Sequence, residues 1–532
     1  MVSALLLLLG CQGEAPPAAT DPAPLADVAL LSRISLDLAG RRPTVAEIEA
    51  VEADPAQIDA LVETYLSDPG FGERVFYWYA DLYKTRADKF IVGVDGDGAF
   101  LDAGAKARFT HAVGDEPLRL LQRVADERLP WTTIVTADWT MANDDLLAAW
   151  PLEALEEGEG WKKARYTDSR PAAGVLTSNG MWWRYTSTAE NVNRSRAEAI
   201  TRFMVCDTRF DQPVEFSSVA STLIELQDRA QTDEACVSCH VVLDPIGSYM
   251  FGFWRMHPES YSEAAWYFPN RETYWEDVTG INPGWYGQPG KDLFDLGDQI
   301  ASDSRFVSCA VRQGYTFLHG VAPPESAEDA LTEARQAFID EDTELQALYR
   351  ALVRDPTYRS ADPEVEGAVP VRRMSASLLS SAVYALTGYR WDYEQMDMLA
   401  NDTWGVRVLA GGADGIIVTE AATDHSASEQ LTVERLAEAA AQYAVNHEET
   451  QEVSDRLLFT ETPDLSVVPE EPALAAQMRA LVLAVHGRHA DEDDTAALVA
   501  LWGSLYQETG STHAAWALTL SALLRHPDFL QY

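Results

Sequence analysis

Glu234-Ala235-Cys236-Val237-Ser238-Cys239-His240-Val241-Val242-Leu243-Asp244-Pro245-Ile246-Gly247 sets the reading of the whole chain. Two thiols three residues apart, with a histidine directly after the second, form the pattern by which a c-type haem is attached. Each thiol adds to one vinyl group and the imidazole reaches the iron. The expectation is one covalent haem c, with Cys236 and Cys239 as the attachment points and His240 as the proximal iron ligand. Two other uses of these residues stay open. A zinc site has three of four ligands here and needs Cys206 or Cys309 as the fourth, and a redox C-x-x-C wants a thioredoxin-like β-α-β context that the flanking sequence lacks.

The far side of the iron decides what such a centre does. A methionine or second histidine closes it, whereas an open position admits peroxide or oxygen. Met250, Met256 and His257 follow the motif, and Met181 and Met204 precede it. Met250 is the distal candidate, although each of these residues also suits a packed core or a surface.

Outward from the motif, apolar residues recur at helical spacing. Residues 30–39 read as a helix with Gly40 as its stop, and Thr44 caps the next helix, over 45–51, with Glu47 at the capping-box position. Further helices are expected at 57–66, 71–83, 106–128, 193–206, 221–229, 304–318, 325–350 and 514–524. Residues 68–72 (Asp-Pro-Gly-Phe-Gly) read as a helix stop, with partial echoes at Asp355-Pro356 and His526-Pro527. Residues 129–150 read as a short segment and a helix, 153–163 as an exposed loop, and 406–419 as β-prone. Residues 93–98 resemble a calcium loop, but Gly93 and Gly104 fall where carboxylates are needed, so a turn is expected. The fold class is mainly α: a multi-module helical protein with a c-type haem-binding module and little β structure. The expected division is 1–24 signal and Pro-rich linker, 25–169 N-terminal helical domain, 170–361 haem-bearing domain, 362–370 linker and 371–532 C-terminal helical domain.

The 532 residues hold 40 Lys and Arg against 84 Asp and Glu, a net charge of −44. A field of that sign repels phosphate backbones and anionic headgroups, so nucleic acid is excluded as a partner and cationic proteins or cations are favoured. The apolar run 5–9 ends in Gly10-Cys11 and is too short to span a bilayer, for which ~20 apolar residues are needed. Leu8-Leu9-Gly10-Cys11 resembles the bacterial lipobox, which implies lipidation at Cys11, a membrane anchor and a place in the cell envelope, in the outer membrane or facing the periplasm. No Lys or Arg precedes the run. Of five cysteines, Cys206 and Cys309 are left over, either a disulfide suited to an oxidising compartment or two buried thiols.

The motif with Leu243-Asp244-Pro245-Ile246-Gly247 resembles the haem-bearing module of planctomycete-type cytochrome c proteins, exported multi-module proteins also common in myxobacteria. Residues 36–44 (LDLAGRRPT), 66–74 (LSDPGFGER), 134–138, 305–313 and 523–530 are similar to other pieces of that family. After the D-P-I-G this chain runs Met250-Phe251-Gly252-Phe253-Trp254, where the family usually carries acidic residues. The resemblance implies a mostly helical fold and one haem c, with no established reaction. The expected function is an exported, lipid-anchored, single-haem electron carrier with a cationic redox partner. The alternatives are a haem-dependent enzyme, peroxidase-like or acting on an extracellular substrate such as a polysaccharide, and an interaction lipoprotein with a structural haem. Hydrolase patterns are absent: His447-Glu448 lacks a second histidine at zincin spacing, there is no G-x-S-x-G, and His111, His319, His425, His486, His489 and His513 show no ligand spacing.

Overall fold

Thr44 and Glu47 begin their helix by satisfying each other's backbone: the Thr44 hydroxyl accepts the Glu47 N–H at 3.2 Å and the Glu47 carboxylate accepts the Thr44 N–H at 2.7 Å. Local signals of this kind set many of the helix ends in the computed structural model, which describes residues 24–86, 92, 103–188, 191–211, 232, 234–253, 267–393, 396–401, 405–422 and 424–532. The signal and Cys11, the 93–98 turn, the 221–229 helix, Met256 and His257 lie outside the described residues.

Helix α1 (Asp27–Ala39) stops at Gly40, whose φ of 68° is the left-handed conformation that glycine adopts without a Cβ clash. α2 (Val45–Ala53), α3 (Gln57–Leu66) and α4 (Pro69–Tyr83) follow. Asp68 caps α4 by accepting the Gly70 N–H at 2.7 Å, and Pro69 takes its first position. Residues 68–72 therefore start a helix as well as ending one, because proline lacks only an N–H that a first turn leaves unbonded anyway.

α5 (Ala103–Asp126) carries a short antiparallel sheet on one flank, β1 (Thr140–Ala142), β3 (Lys162–Tyr166) and β2 (Leu152–Ala154) in that order, with Thr140 opposite Ala164 and Leu152 opposite Tyr166. Residues 129–150 and 153–163 were expected without strands. Segments of three to five residues are too short to display an alternation, and only their pairing reveals them. Glu116 of α5 lies fully buried under this sheet, its Oε1 accepting the Thr140 hydroxyl at 2.8 Å and the Tyr166 hydroxyl at 2.7 Å.

α6 (Arg194–Val205) and α7 (Glu234–Ser248) are followed by α8 (Leu293–Ala301), α9 (Ser304–His319), α10 (Glu328–Asp340) and α11 (Leu345–Leu352). The acidic 325–350 stretch is two helices, broken where Asp342 and Thr343 take positive φ. Cys206 and Cys309 are joined by a disulfide with Cα atoms 5.3 Å apart, fastening the end of α6 to α9. The last part of the chain holds α12 (Ala376–Thr387), α13 (Ala427–Glu449), α14 (Glu471–His486), α15 (Glu492–Thr509), α16 (Thr512–Leu524) and the single turn α17 (Pro527–Leu530). The β-prone stretch 406–419 is turns and loop, and a two-residue ribbon pairs Asp392 with Asp397 instead. Among the described residues 59% are helix and 5% strand, so the fold is mainly α. No helix among the described residues is long and apolar enough to cross a membrane.

Buried apolar residues between Leu30 and Tyr358, with Ala400, form one contiguous cluster, so the stretches 25–169 and 170–361 share a core. Those from Met374 to Phe529 form a second cluster, joined by Leu36 of α1. α1 and the turn after it hold the seam. Asp37, 1% exposed, accepts the Tyr358 hydroxyl at 2.9 Å, Arg372 at 2.6 Å and the Tyr532 hydroxyl at 2.8 Å. Arg33 donates to the carbonyls of Tyr358, Val369 and Pro370, which pins the 362–370 segment, and Arg42 donates to those of Asp528, Phe529 and Gln531. Each buried charge at this seam thus has hydrogen-bonding partners, the condition for burying it at all.

Candidate functional site

Cys236, Cys239 and His240 stand at i, i+3 and i+4 of α7, a spacing that puts all three on one helix face. Both thiols are free and partly exposed. The His240 side chain is also partly exposed, and its Nδ1 lies 3.1 and 3.2 Å from the two carboxylate oxygens of Asp244, one turn further along. Asp244 is buried and accepts Arg194 Nε of α6 at 2.6 Å. Burial alone pushes this carboxyl up, but the hydrogen bonds from His240 and Arg194 outweigh it and hold the group below its ordinary value. Asp244 is therefore ionised at neutral pH and accepts the hydrogen bond from Nδ1–H, which leaves Nε2 turned away from the carboxylate. Among the described residues nothing hydrogen-bonds Nε2.

The D-P-I-G residues explain how this face is held. Asp244 orients the imidazole. Pro245 lies inside α7, where it removes one helix hydrogen bond, and packs against Gly284. Ile246 is fully buried in the main core. Gly247 lets α6 approach: a Cβ there would sit 3.1 Å from the Val192 carbonyl oxygen, and the Asn193 amide donates to the Gly247 carbonyl at 3.2 Å. The Ser248 hydroxyl closes the helix end on the Asp244 and Ile281 carbonyls at 3.0 and 2.8 Å.

This donor set fits a c-type haem. Two free thiols and an imidazole lone pair share a face, and a buried carboxylate fixes the tautomer and raises the basicity of the ring, as in carboxylate–histidine–metal arrangements generally. Val241, next to His240, is 63% exposed, apolar surface of the kind that a flat apolar group would cover. The disulfide takes Cys206 and Cys309 away from the zinc reading that needed one of them as a fourth ligand. Met250, the distal candidate, is fully buried in the main apolar core, as are Met181 and Met204, so each is accounted for by packing. The roles of Asp244, Arg194 and Asn193 were not foreseen. The i, i+4 spacing of His240 and Asp244 was the available signal, whereas α6 meets α7 only through the tertiary fold.

Likeness to known proteins lies elsewhere in the chain. A family model described as PSCyt2, protein of unknown function (DUF1549), matches residues 17–96. That domain is found in planctomycete-type cytochrome c-related proteins. No curated protein and no solved structure matches. The matched stretch contains α1 to α4, and with them Arg33, Asp37 and Arg42 of the seam; it does not reach Cys236–His240.

Proposed function

We propose that this chain is a single-haem c-type cytochrome of the cell envelope, anchored through a lipid on Cys11 and working as a one-electron carrier. The observation that carries the reading is the α7 face, where two free thiols stand beside a histidine whose Nδ1 is engaged by an ionised, buried carboxylate. Cys236 and Cys239 would hold the haem covalently, and His240 Nε2 would bind its iron. A haem so held supplies reversible one-electron chemistry at a potential set by its ligands and their hydrogen bonds. The chain's own part is to fix the imidazole through Asp244 and Arg194, and to present an acidic surface. The net charge of −44 favours a cationic redox partner, with encounter rates that fall as salt rises. The N-terminal match to a domain of cytochrome c-related proteins supports the assignment.

The test is to express the chain with a c-haem assembly system and extract it with acid–acetone. Pigment should remain with the protein in the parent and leave it in a Cys236→Ala, Cys239→Ala variant; a variant that kept covalent haem would overturn the proposal. A low-spin spectrum indifferent to carbon monoxide and peroxide is expected of a carrier. A five-coordinate, peroxide-reactive spectrum would move the reading to an enzyme.

A further inference from the structure

His486 is the last residue of α14, and its side chain is 2% exposed. Its Nε2 donates to the Leu523 carbonyl at 3.0 Å, which leaves Nδ1 as the ring nitrogen that can bind a metal. That Nδ1 is buried and, among the described residues, has no hydrogen-bond partner. It faces the corner between α16 and α17, where Asp528 Oδ2 lies 3.9 Å away and a nitrogen of His526 completes a set of three ligand atoms all within 4.8 Å of one another. A buried acceptor with no donor is uncommon in a folded chain and calls for an explanation.

We propose that His486, His526 and Asp528 form a binding site for a divalent transition-metal ion, with Zn²⁺ the simplest occupant. Two imidazoles and one carboxylate are a zinc-like ligand set that leaves a position for water, and they favour Zn²⁺, Cu²⁺ or Ni²⁺ over Ca²⁺ or Mg²⁺, which want oxygen ligands. The Leu523 carbonyl acts from behind, fixing the His486 tautomer as outer partners of metal-bound histidines do. Donors ~2.0–2.2 Å from one zinc ion in a tetrahedral site lie ~3.3 Å apart, so the three groups must close in slightly. His526 can supply the movement. It is half-exposed, its ring is stacked on His486 at 5.0 Å with a tilt of 28°, and its Nδ1 accepts the Asp528 N–H at 3.2 Å with Asp528 Oδ1 3.4 Å away.

Two arginines border the site, and both are compensated. Arg488 Nε bonds Asp528 Oδ2 at 2.7 Å while its other end is neutralised by Asp494 at 2.5 Å, so it steadies the carboxylate and leaves Oδ1 available. Arg42 lies on the backbone side, spread over the carbonyls of Asp528, Phe529, Gln531 and, at 3.5 Å, His486. The Arg488–Asp528 ion pair by itself gives no reason for a bare Nδ1 in the interior. The strongly acidic chain raises the local concentration of cations around the opening.

The experiment is a calorimetric titration of the full chain with Zn²⁺, with X-ray absorption at the zinc edge to read the first shell. Because Cys236 and Cys239 also bind zinc when free, it is run in parallel on a Cys236→Ser, Cys239→Ser chain. One equivalent with a nitrogen and oxygen shell and imidazole scattering is expected in the Ser chain, and the parent should show the same equivalent plus a sulfur-ligated one at the thiols. His526→Ala, at a half-exposed position, and Asp528→Asn should each weaken that equivalent by more than the ~10-fold that loss of an outer partner costs, with His425→Ala as the unchanged control. The site is refuted if zinc affinity is the same in His526→Ala, or if the Ser variant shows no saturable equivalent. His486→Gln is a supplementary variant only, since its burial makes misfolding an alternative cause of loss.

Discussion

Replacing Asp37 by alanine should release the C-terminal helices from α1. In the folded chain this carboxylate receives Arg372 at 2.6 Å and the Tyr358 and Tyr532 hydroxyls at 2.9 and 2.8 Å, and it is 1% exposed. Arg372 is largely buried, its side chain 13% exposed, and although desolvation opposes its charge, Asp37 with Tyr532 and Tyr358 outweighs that and pushes the guanidinium up. Removing one member of a buried pair costs ~3–5 kcal/mol, because the remaining charge stays in a low-dielectric site without its counter-ion. The stranded tyrosine hydroxyls add to this, while the bond from Arg372 to the Phe317 carbonyl at 3.1 Å survives and subtracts from it. A net loss of about 4 kcal/mol is expected. For a cooperative unit of ~150–250 residues that corresponds to a fall of roughly 8–16 °C in Tm. The assay is thermal unfolding followed by circular dichroism at 222 nm, with hydrogen exchange to show that α12 and α16 open first. A cycle with Arg372→Ala separates coupling from truncation, since the double variant should be much less destabilised than the sum of the singles. A loss below about 1 kcal/mol, or strict additivity, would refute the assignment of Asp37 as the clasp of the seam.

Other consequences are open to measurement. Burial raises the Glu116 carboxyl to about 7 despite the hydrogen bonds from Tyr166 and Thr140, whereas its ordinary value is 4.5. The unfolded chain thus loses this proton first, so stability should fall as pH rises from about 4.5 to about 7, by on the order of 3 kcal/mol, and urea midpoints of Glu116→Gln should lack that component. Cys206→Ser with Cys309→Ser opens a loop spanning 103 residues and should lower stability by ~4–5 kcal/mol in the chain-entropy model, read from denaturant midpoints of the variant against the oxidised parent. Asp244→Asn keeps the shape beside His240 but removes the charge, so a haem-loaded variant should show a more positive midpoint potential in spectroelectrochemistry, and an unchanged potential would count against the carboxylate's role.

Much of this molecule is legible one helix at a time. Gly40, Thr44 with Glu47, and Asp68 with Pro69 act within a few residues of where they stand, so their effect on chain direction follows from the sequence directly. The strands at 140–142, 152–154 and 162–166 were not legible, since none buries enough residues to carry a pattern and each exists through its partner. The 68–72 stretch shows a milder version of the same limit. Its proline announces a boundary, and only the following packing of Phe71 and Val75 into the core turns that boundary into a beginning.

For the site, the division falls along α7. The sequence by itself determined the spacing of Cys236, Cys239 and His240, and hence the proposal of a covalent haem, because such attachment depends on residue types at fixed offsets. Only the tertiary structure decided what stands behind them. Arg194 reaches Asp244 from a helix 50 positions away in the chain, Gly247 is small because Val192 passes over it, and Met250 is committed to the core. The same holds at the other end of the molecule, where His486 is separated from His526 and Asp528 by two helices and meets them because α14 and α16 pack side by side. Contacts made at such distances are set by which apolar faces bury one another, a property of the whole fold that no local window of residues contains.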